Sequence, residues 1–176
     1  MAGQTNHAVG SVYEPGSTFK ALTLAQGLET GAVKFDAVVD CAGSMVVAKR
    51  NLRCDLHGGK RAHGLIDNEQ AIAQSCNVSA ATWALDIGAE DMRQMLNDLG
   101  VLEPQAIGLP STRAALFREN PGSLTRQTAE VGFGQSMNIT PLAAAKAFMP
   151  IARDGDTIPL TMVGGQMGST QPKRLF

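Results

Sequence analysis

Tyr13-Glu14-Pro15-Gly16-Ser17-Thr18-Phe19-Lys20 stands immediately before a run of good helix formers that Gly31 closes. Pro and Gly ahead of the run mark its start and the later glycine is a C-terminal cap, so the spacing predicts a helix from about Ser17 to Glu29. Within it Ala21, Leu24, Ala25 and Leu28 fall at i, i+3, i+4 and i+7. Phe19 and Leu22 add apolar surface elsewhere, which predicts a helix buried on most sides. Ser17 and Lys20 lie three residues apart at its N-terminal end, so both side chains emerge from one face about a turn apart and can touch. A serine hydroxyl is a poor nucleophile until a base takes its proton. A lysine amine can be that base only where burial or nearby positive charge lowers its pKa. The helix N-terminus adds unpaired N–H groups that favour an oxyanion forming on an attacked carbonyl. A capping serine followed by a solvated lysine has the same spelling, so Ser-x-x-Lys needs company before it carries chemistry.

Further along, Ala37 to Asp55 contains Val38-Val39 and Met45-Val46-Val47, broken by Gly43 and by Lys49-Arg50-Asn51, which predicts a small β-hairpin. Asp67 with Gln70 three residues on spells a capping box for a helix reaching towards Ser75. A second helix is predicted to follow Asn77 and stop at Gly88. Met92, Met95, Leu96 and Leu99 repeat a helical stripe between Ala89-Glu90-Asp91 and Gly100. Pro104, Pro110, Pro121 and several glycines predict extended connections from Val101 to Leu124, with a turn around Arg113 to Arg118. A last helix is predicted with Thr140 as N-cap and Pro141 at its first position, running to Gly155.

The 176 residues are 44% hydrophobic and 18% charged, enough for one core and a single domain over 1–176. Fifteen basic against sixteen acidic residues, no basic run, one Trp and one Tyr lack the signature of a nucleic-acid binder. No apolar run approaches the ~20 residues of a membrane helix, and Met1-Ala2-Gly3-Gln4 opens no charged leader with an apolar segment. The expectation is a soluble chain with no signal or anchor of its own.

Company for Ser17 and Lys20 comes from Ser75-Cys76-Asn77, at a predicted helix-to-helix break, and from Val131-Gly132-Phe133-Gly134-Gln135 followed by Ile139-Thr140-Pro141-Leu142. In order and spacing these motifs resemble the transpeptidase domains of monofunctional, class B penicillin-binding proteins, from about Asn6 to Phe176. Serine β-lactamases share the Ser-x-x-Lys, but Glu14-Pro15-Gly16, Asn77 and the Gly-Phe-Gly-Gln segment look more like transpeptidases.

The resemblance implies that Ser17 attacks the D-Ala-D-Ala bond of a peptidoglycan stem peptide, that Lys20 removes its proton, and that D-alanine leaves. Ser75 would relay a proton to the leaving amine and Asn77 would hold a substrate amide carbonyl. An amine from a neighbouring stem peptide then resolves the acyl-enzyme, and β-lactam antibiotics mimic the substrate. By themselves Ser75 and Asn77 read equally as turn residues that cap helices. The parent protein would work with the cell-wall synthesis machinery of division or cell shape, on the extracytoplasmic, periplasmic face of the bacterial inner membrane, with no cofactor required for catalysis.

The family's third motif, Lys-Thr-Gly, lies on a strand that donates an oxyanion N–H and receives the substrate carboxylate. It is absent from this sequence, which reaches Pro172-Lys173-Arg174-Leu175-Phe176 without it, as are the family's strands before Asn6. The expected fold is therefore mainly α with a small β-hairpin, the helical portion of the α+β transpeptidase fold without most of its antiparallel sheet. Apolar surface is expected to be left open, a route to a homo-oligomer. Losing one oxyanion donor costs on the order of a hundredfold in rate, so little or no turnover is expected of these residues alone. The alternatives are a non-catalytic interaction or structural module, and a β-lactamase or β-lactam-sensing relative.

Cys41, Cys54, His63 and Cys76 add a separate possibility. Their spacing, C-x12-C-x8-H-x12-C, gives three thiols and an imidazole, a common closed structural zinc set, with His57 a spare ligand. Zinc there would tie the hairpin and the Gly58-Gly59 loop to Ser75 and Asn77. The same residues also allow a Cys41 to Cys54 disulfide or three buried free thiols.

Overall fold

A computed structural model of the chain describes residues 5–56, 58, 61–117, 120–162 and 172–176. In chain order they form α1 (His7–Gly10), a 3₁₀ turn (Gly16–Phe19), α2 (Lys20–Thr30), β1 (Val38–Cys41), β2 (Ser44–Val47), β3 (Arg50–Arg53) and β4 (Gly64–Asp67). Then come α3 (Asn68–Ala73), α4 (Asn77–Ile87), α5 (Ala89–Asp98), a 3₁₀ turn (Pro121–Ser123) and α6 (Leu124–Gly132). The chain finishes with α7 (Pro141–Ala147), α8 (Met149–Ala152), β5 (Asp156–Thr157) and β6 (Lys173–Arg174). Helices dominate and the strands are two to four residues long, as the sequence led us to expect. Among the described residues no helix is long and apolar enough to cross a membrane.

The chain divides into two compact units. The first, Gly16–Arg93 with Arg118–Ser136, carries all the motif residues singled out above except those after Ser136 and before Gly16. Its centre is α4, where Val78, Ser79, Ala80, Ala81, Trp83, Ala84 and Ile87 are all buried. So many small side chains let neighbouring helices approach closely, and α2 and α6 pack on either side. The expectation for α2 needs correcting in one respect. Its buried face is Leu22, Thr23 and Gly27, continued by Phe19 and Lys20, whereas Ala21, Leu24, Ala25 and Leu28 are only half-buried. Polar and small residues decide the face: the Thr23 hydroxyl donates to the Gly132 carbonyl at 2.9 Å, and Gly27 makes room for Val33. Gly31 is the cap its position promised, at φ 74° with its N–H on the Leu28 carbonyl.

The predicted hairpin pairs differently. Met45-Val46-Val47 lie in β2, whose antiparallel partner is β3, so Arg50 and Asn51 are strand residues and not a break. The two strands are joined through Ala48 and Lys49, both at positive φ (48° and 64°), the backbone sense that a two-residue hairpin turn requires. Val38 and Val39 instead pair with Asp67 and Ile66 across a long excursion, in the antiparallel ladder of β1 with β4. Val38 and Leu65 project from its outer face beside Asp40 and Asp67, and with Phe35 they supply the apolar exposure anticipated. α3 opens with the capping box spelled by its sequence: Asp67 Oδ1 accepts from the Gln70 N–H at 2.8 Å, and Gln70 Oε1 accepts from the Asp67 N–H at 3.2 Å.

Helix α6 was not foreseen. Its residues Leu-Thr-Arg-Gln-Thr-Ala-Glu-Val-Gly carry few large apolar side chains, yet Gln127, Thr128, Ala129, Val131 and Gly132 are buried.

In the second unit, Met1–Pro15 with Gln94–Phe117 and Met137–Phe176, Tyr13 bridges Ile139 and Leu116 bridges Asn138 in antiparallel fashion. Arg113 donates its N–H to the Val9 carbonyl at 2.8 Å, so the turn expected around Arg113 is an extended segment; Arg118 lies outside the described residues. Thr140 caps α7 through its hydroxyl, with Pro141 first in the helix as expected. The helix does not run unbroken to Gly155: it stops at Ala147 and resumes as α8, because Pro150 has no N–H to continue the ladder.

The tightest helix contact yields a stability test. A Cβ on Gly132 would lie 2.5 Å from Ala84 Cβ and 2.6 Å from the Ala80 carbonyl oxygen on α4. Gly132→Ala gains up to about 1 kcal/mol of helix propensity. Overpacking against backbone that cannot yield costs about 1–3 kcal/mol, so a net loss is expected. Urea unfolding should show a lower midpoint for the variant.

Candidate active site

Ser17 sits in the 3₁₀ turn and Lys20 is the first residue of α2, so the tighter winding ahead of the helix carries the hydroxyl and the helix carries the amine. Lys20 is 2% exposed. Its Nζ is 3.1 Å from Ser17 Oγ, 2.8 Å from Ser75 Oγ and 2.6 Å from the Ser75 carbonyl oxygen. Three acceptors match the three protons of an ammonium. As a neutral amine the group keeps two protons and a lone pair, and the lone pair can accept from one of the two hydroxyls while the other contacts persist. Burial pushes the Lys20 amine below its ordinary value, opposed electrostatically by the neighbouring cysteines Cys54 and Cys76. Deprotonation is thus favoured where it is needed for proton abstraction.

Ser75 reaches Lys20 with both oxygens because it occupies the left-handed region, φ 52°, between the end of α3 and the start of α4. Cys76 follows as the N-cap of α4, its Sγ accepting from the Ser79 N–H at 3.4 Å, and Asn77 is the first helical residue. The Asn77 Nδ2 donates to the Arg53 carbonyl at 2.9 Å, fixing the end of β3 to this corner. An open pocket of about 430 Å³ is lined by Ser17, Ser75 and Asn77 together with Gly16, Asp55, Phe133 and Gln135. All four catalytic candidates therefore come together, except that Lys20 lies beneath the wall.

Sequence reasoning did not give roles to the far wall. The Gly16 N–H donates to the Gly134 carbonyl at 2.9 Å, and a Cβ on Gly134, at φ 77°, would collide with the Gly16 carbonyl oxygen. Only glycine lets the Phe133–Gln135 turn lie directly against the turn that carries Ser17. Glu130 holds that wall from behind: its carboxylate accepts from Arg126 Nε at 2.5 Å and from the Ser136 hydroxyl, and its carbonyl accepts from the Gln135 N–H. Alternating glycines around Phe133 were the signal available for a close backbone approach.

Cys41, Cys54, His63 and Cys76 converge next to this corner, with one ligand atom of each within 4.8 Å of the others. Cys54 Sγ is 3.6 Å from both Cys41 Sγ and Cys76 Sγ, and Cys41 Sγ is 3.5 Å from His63 Nδ1. The three are free thiols. Bonds of ~2.3 Å to sulfur and ~2.0 Å to nitrogen in a tetrahedron around zinc set S···S near 3.8 Å and S···N near 3.5 Å, close to these three contacts. The Val78 N–H also points at Cys54 Sγ, at 3.4 Å, as backbone donors do towards metal-bound thiolates. Contact between Cys54 and Cys76 splits their acidities: hydrogen bonding from Cys54 lowers the Cys76 thiol to about 4, and Cys54 is pushed up. His57 lies outside the described residues.

Comparison with known proteins bears on both fold and site. The family model for the penicillin binding protein transpeptidase domain matches residues 3–175. Among curated relatives, a probable peptidoglycan D,D-transpeptidase FtsI of Caulobacter vibrioides is 34% identical over 89% of this chain and 26% of its own length. Stage V sporulation protein D of Bacillus subtilis is 32% identical over 85% of this chain and 23% of its own. The chain thus spans about a quarter of these relatives. The transpeptidase domain of penicillin-binding protein 3 from Burkholderia pseudomallei superposes with a TM-score of 0.83 at 23% identity, over 96% of this chain and 50% of that one. A peptidoglycan glycosyltransferase structure from Burkholderia ambifaria gives 0.84 at 22% identity, over 99% and 54%. Fold, motif order and family model agree, and the chain belongs to the penicillin-binding protein transpeptidase family.

Proposed function

We propose that this chain is the nucleophile-bearing part of a peptidoglycan D,D-transpeptidase that forms an acyl-serine intermediate with D-Ala-D-Ala stem peptides and with β-lactams. The observation that carries this is the Lys20 amine held between the Ser17 and Ser75 hydroxyls. Ser17 Oγ attacks the carbonyl carbon of the penultimate D-alanine while its proton passes to Lys20 Nζ. Collapse of the tetrahedral adduct breaks the C–N bond, and the proton moves through Ser75 to the departing D-alanine amine. Asn77, anchored at the end of β3, offers its amide to the donor's backbone. An acceptor amine then attacks the ester, forming the new peptide bond and returning a proton to the serine. A β-lactam follows the first half only, because its leaving nitrogen stays tethered. The relatives named peptidoglycan D,D-transpeptidases support a place for the whole protein in cell-wall synthesis, and a peptidoglycan substrate would put that work on the extracytoplasmic face of the inner membrane.

Fluorescent penicillin and intact-mass spectrometry test this reading. A protein that continues into a Lys-Thr-Gly strand should be labelled stoichiometrically on Ser17, with Ser17→Ala and Lys20→Ala unlabelled. Residues 1–176 by themselves should react on the order of a hundredfold more slowly or not at all, for want of one oxyanion donor. Labelling that survives Ser17→Ala would refute the assignment.

We also propose that Cys41, Cys54, His63 and Cys76 hold a structural zinc ion. The carrying observation is the convergence of three thiols and an imidazole with their ligand atoms within 4.8 Å of one another. The ligands come from the end of β1, the residue after β3, the segment before β4 and the N-cap of α4, so the ion would cross-link the strands to the corner bearing Ser75 and Asn77. Purified protein should contain about one zinc per chain. Chelation should lower its thermal midpoint by several degrees, and Cys54→Ser should lose the metal. A zinc-free wild type with three titratable thiols would contradict the proposal.

A further inference from the structure

Cys54 Sγ stands 3.6 Å from Cys41 Sγ and 3.6 Å from Cys76 Sγ, so it is the shared neighbour of the other two. It also differs from them in access, because Cys41 and Cys76 are fully buried and Cys54 is half-buried. An oxidant arriving from solvent therefore meets the cluster at Cys54. Cys54 and Cys76 share a helix terminus as well. Val78 donates its N–H to Cys54 Sγ and Ser79 donates its N–H to Cys76 Sγ, both at 3.4 Å, so both sulfurs sit on the first turn of α4. Such N–H groups favour thiolates. Cys41 Sγ faces His63 Nδ1 instead, at 3.5 Å. The segments that carry Cys54 and Cys76 are pinned side by side, since Asn77 holds the Arg53 carbonyl at 2.9 Å.

We propose that Cys54 and Cys76 are a peroxide-sensitive pair, whose oxidation to a disulfide expels the zinc ion and slows acylation of Ser17. The proposal rests on the zinc and transpeptidase readings given above. Ligation by zinc keeps both sulfurs as thiolates. The Cys54 thiolate attacks one oxygen of the peroxide, the O–O bond breaks, and a sulfenic acid and a hydroxide form. The Cys76 thiolate then attacks the Cys54 sulfur and displaces a second hydroxide. Two protons from solvent turn the hydroxides into water, so two thiolates have given up the two electrons that the peroxide gains. Cys41 and His63 remain, two of the four ligands that a closed zinc site uses. Joining the sulfurs draws them in from 3.6 Å and pulls on Cys76. Cys76 follows Ser75, whose two oxygens hold the Lys20 amine, so the displacement reaches the proton relay.

Hydrogen peroxide added in small molar excess to the zinc-loaded protein tests this. Zinc release, followed with a colorimetric chelator, should reach about one ion per chain. Cys41, Cys54 and Cys76 fall on different tryptic peptides, cut after Lys34, Lys49, Arg53, Arg61 and Arg93, so mass mapping names the pair. The linked peptides should be those of Cys54 and Cys76. In a protein that continues into a Lys-Thr-Gly strand, penicillin labelling should slow by about tenfold or more, the size that a small displacement at a reacting group produces. Dithiothreitol with zinc should restore the rate, which oxidised methionine would not allow. A Cys41–Cys54 link, thiols that stay reduced, zinc retained by the oxidised chain, or unchanged labelling of the disulfide form overturns the proposal. Purified protein that holds no zinc removes the metal reading, and untreated protein that takes no penicillin removes the enzymatic one. In both cases the peptide map still decides whether Cys54 and Cys76 are the pair.

Discussion

The amine of Lys20 is the point on which the site depends. It is buried, it faces three oxygens, and two of those belong to a residue far along the chain. An ammonium in that position would be costly without its acceptors, so the Ser75 corner must close over it for the fold to be sound. The same closure puts both hydroxyls in reach of one nitrogen. Stability and chemistry here make the same demand, and α2 and α4 pack closely where Ala80, Ala81, Ala84 and Trp83 are buried on α4.

Around that amine three devices fix position at different levels. Main-chain contact between Gly16 and Gly134 sets the distance from the serine turn to the opposite wall. A left-handed Ser75 turns α3 into α4 and aims two oxygens at one target. The thiol and imidazole cluster gathers strand ends and a helix cap that would otherwise be joined only by short ladders of two to four residues. Short ladders bury little surface, so the metal ion proposed at their meeting point would compensate for the limited sheet in these residues.

Much of this was legible before any coordinates. Caps are local, and those at Gly31, Asp67 and Thr140 were read directly from neighbours in sequence. Ser17 and Lys20 were paired from their spacing, Ser75 and Asn77 joined them through the resemblance to class B transpeptidases, and all four lie at one corner. What escaped notice is non-local or rests on small and polar residues in place of large apolar ones. The partner of Val38-Val39 is β4, more than twenty residues on, and nothing in either strand names the other. Helix α6 has a polar sequence buried by its surroundings, and the true inner face of α2 is chosen by Thr23 and Gly27, which a hydrophobic stripe overlooks. Arg50 and Asn51 resembled a break until the left-handed pair ahead of them showed a turn.

The Gly16 and Gly134 contact has an evolutionary consequence. The perch of the nucleophile relative to the facing wall is written in backbone atoms, which replacement of side chains leaves alone. Lineages can therefore retune what the cleft admits through Gln135 or Asp55 without shifting the serine. A side chain at Gly134 would press on the Gly16 backbone and move nucleophile and wall together, so drug escape by that path would forfeit the native reaction as well.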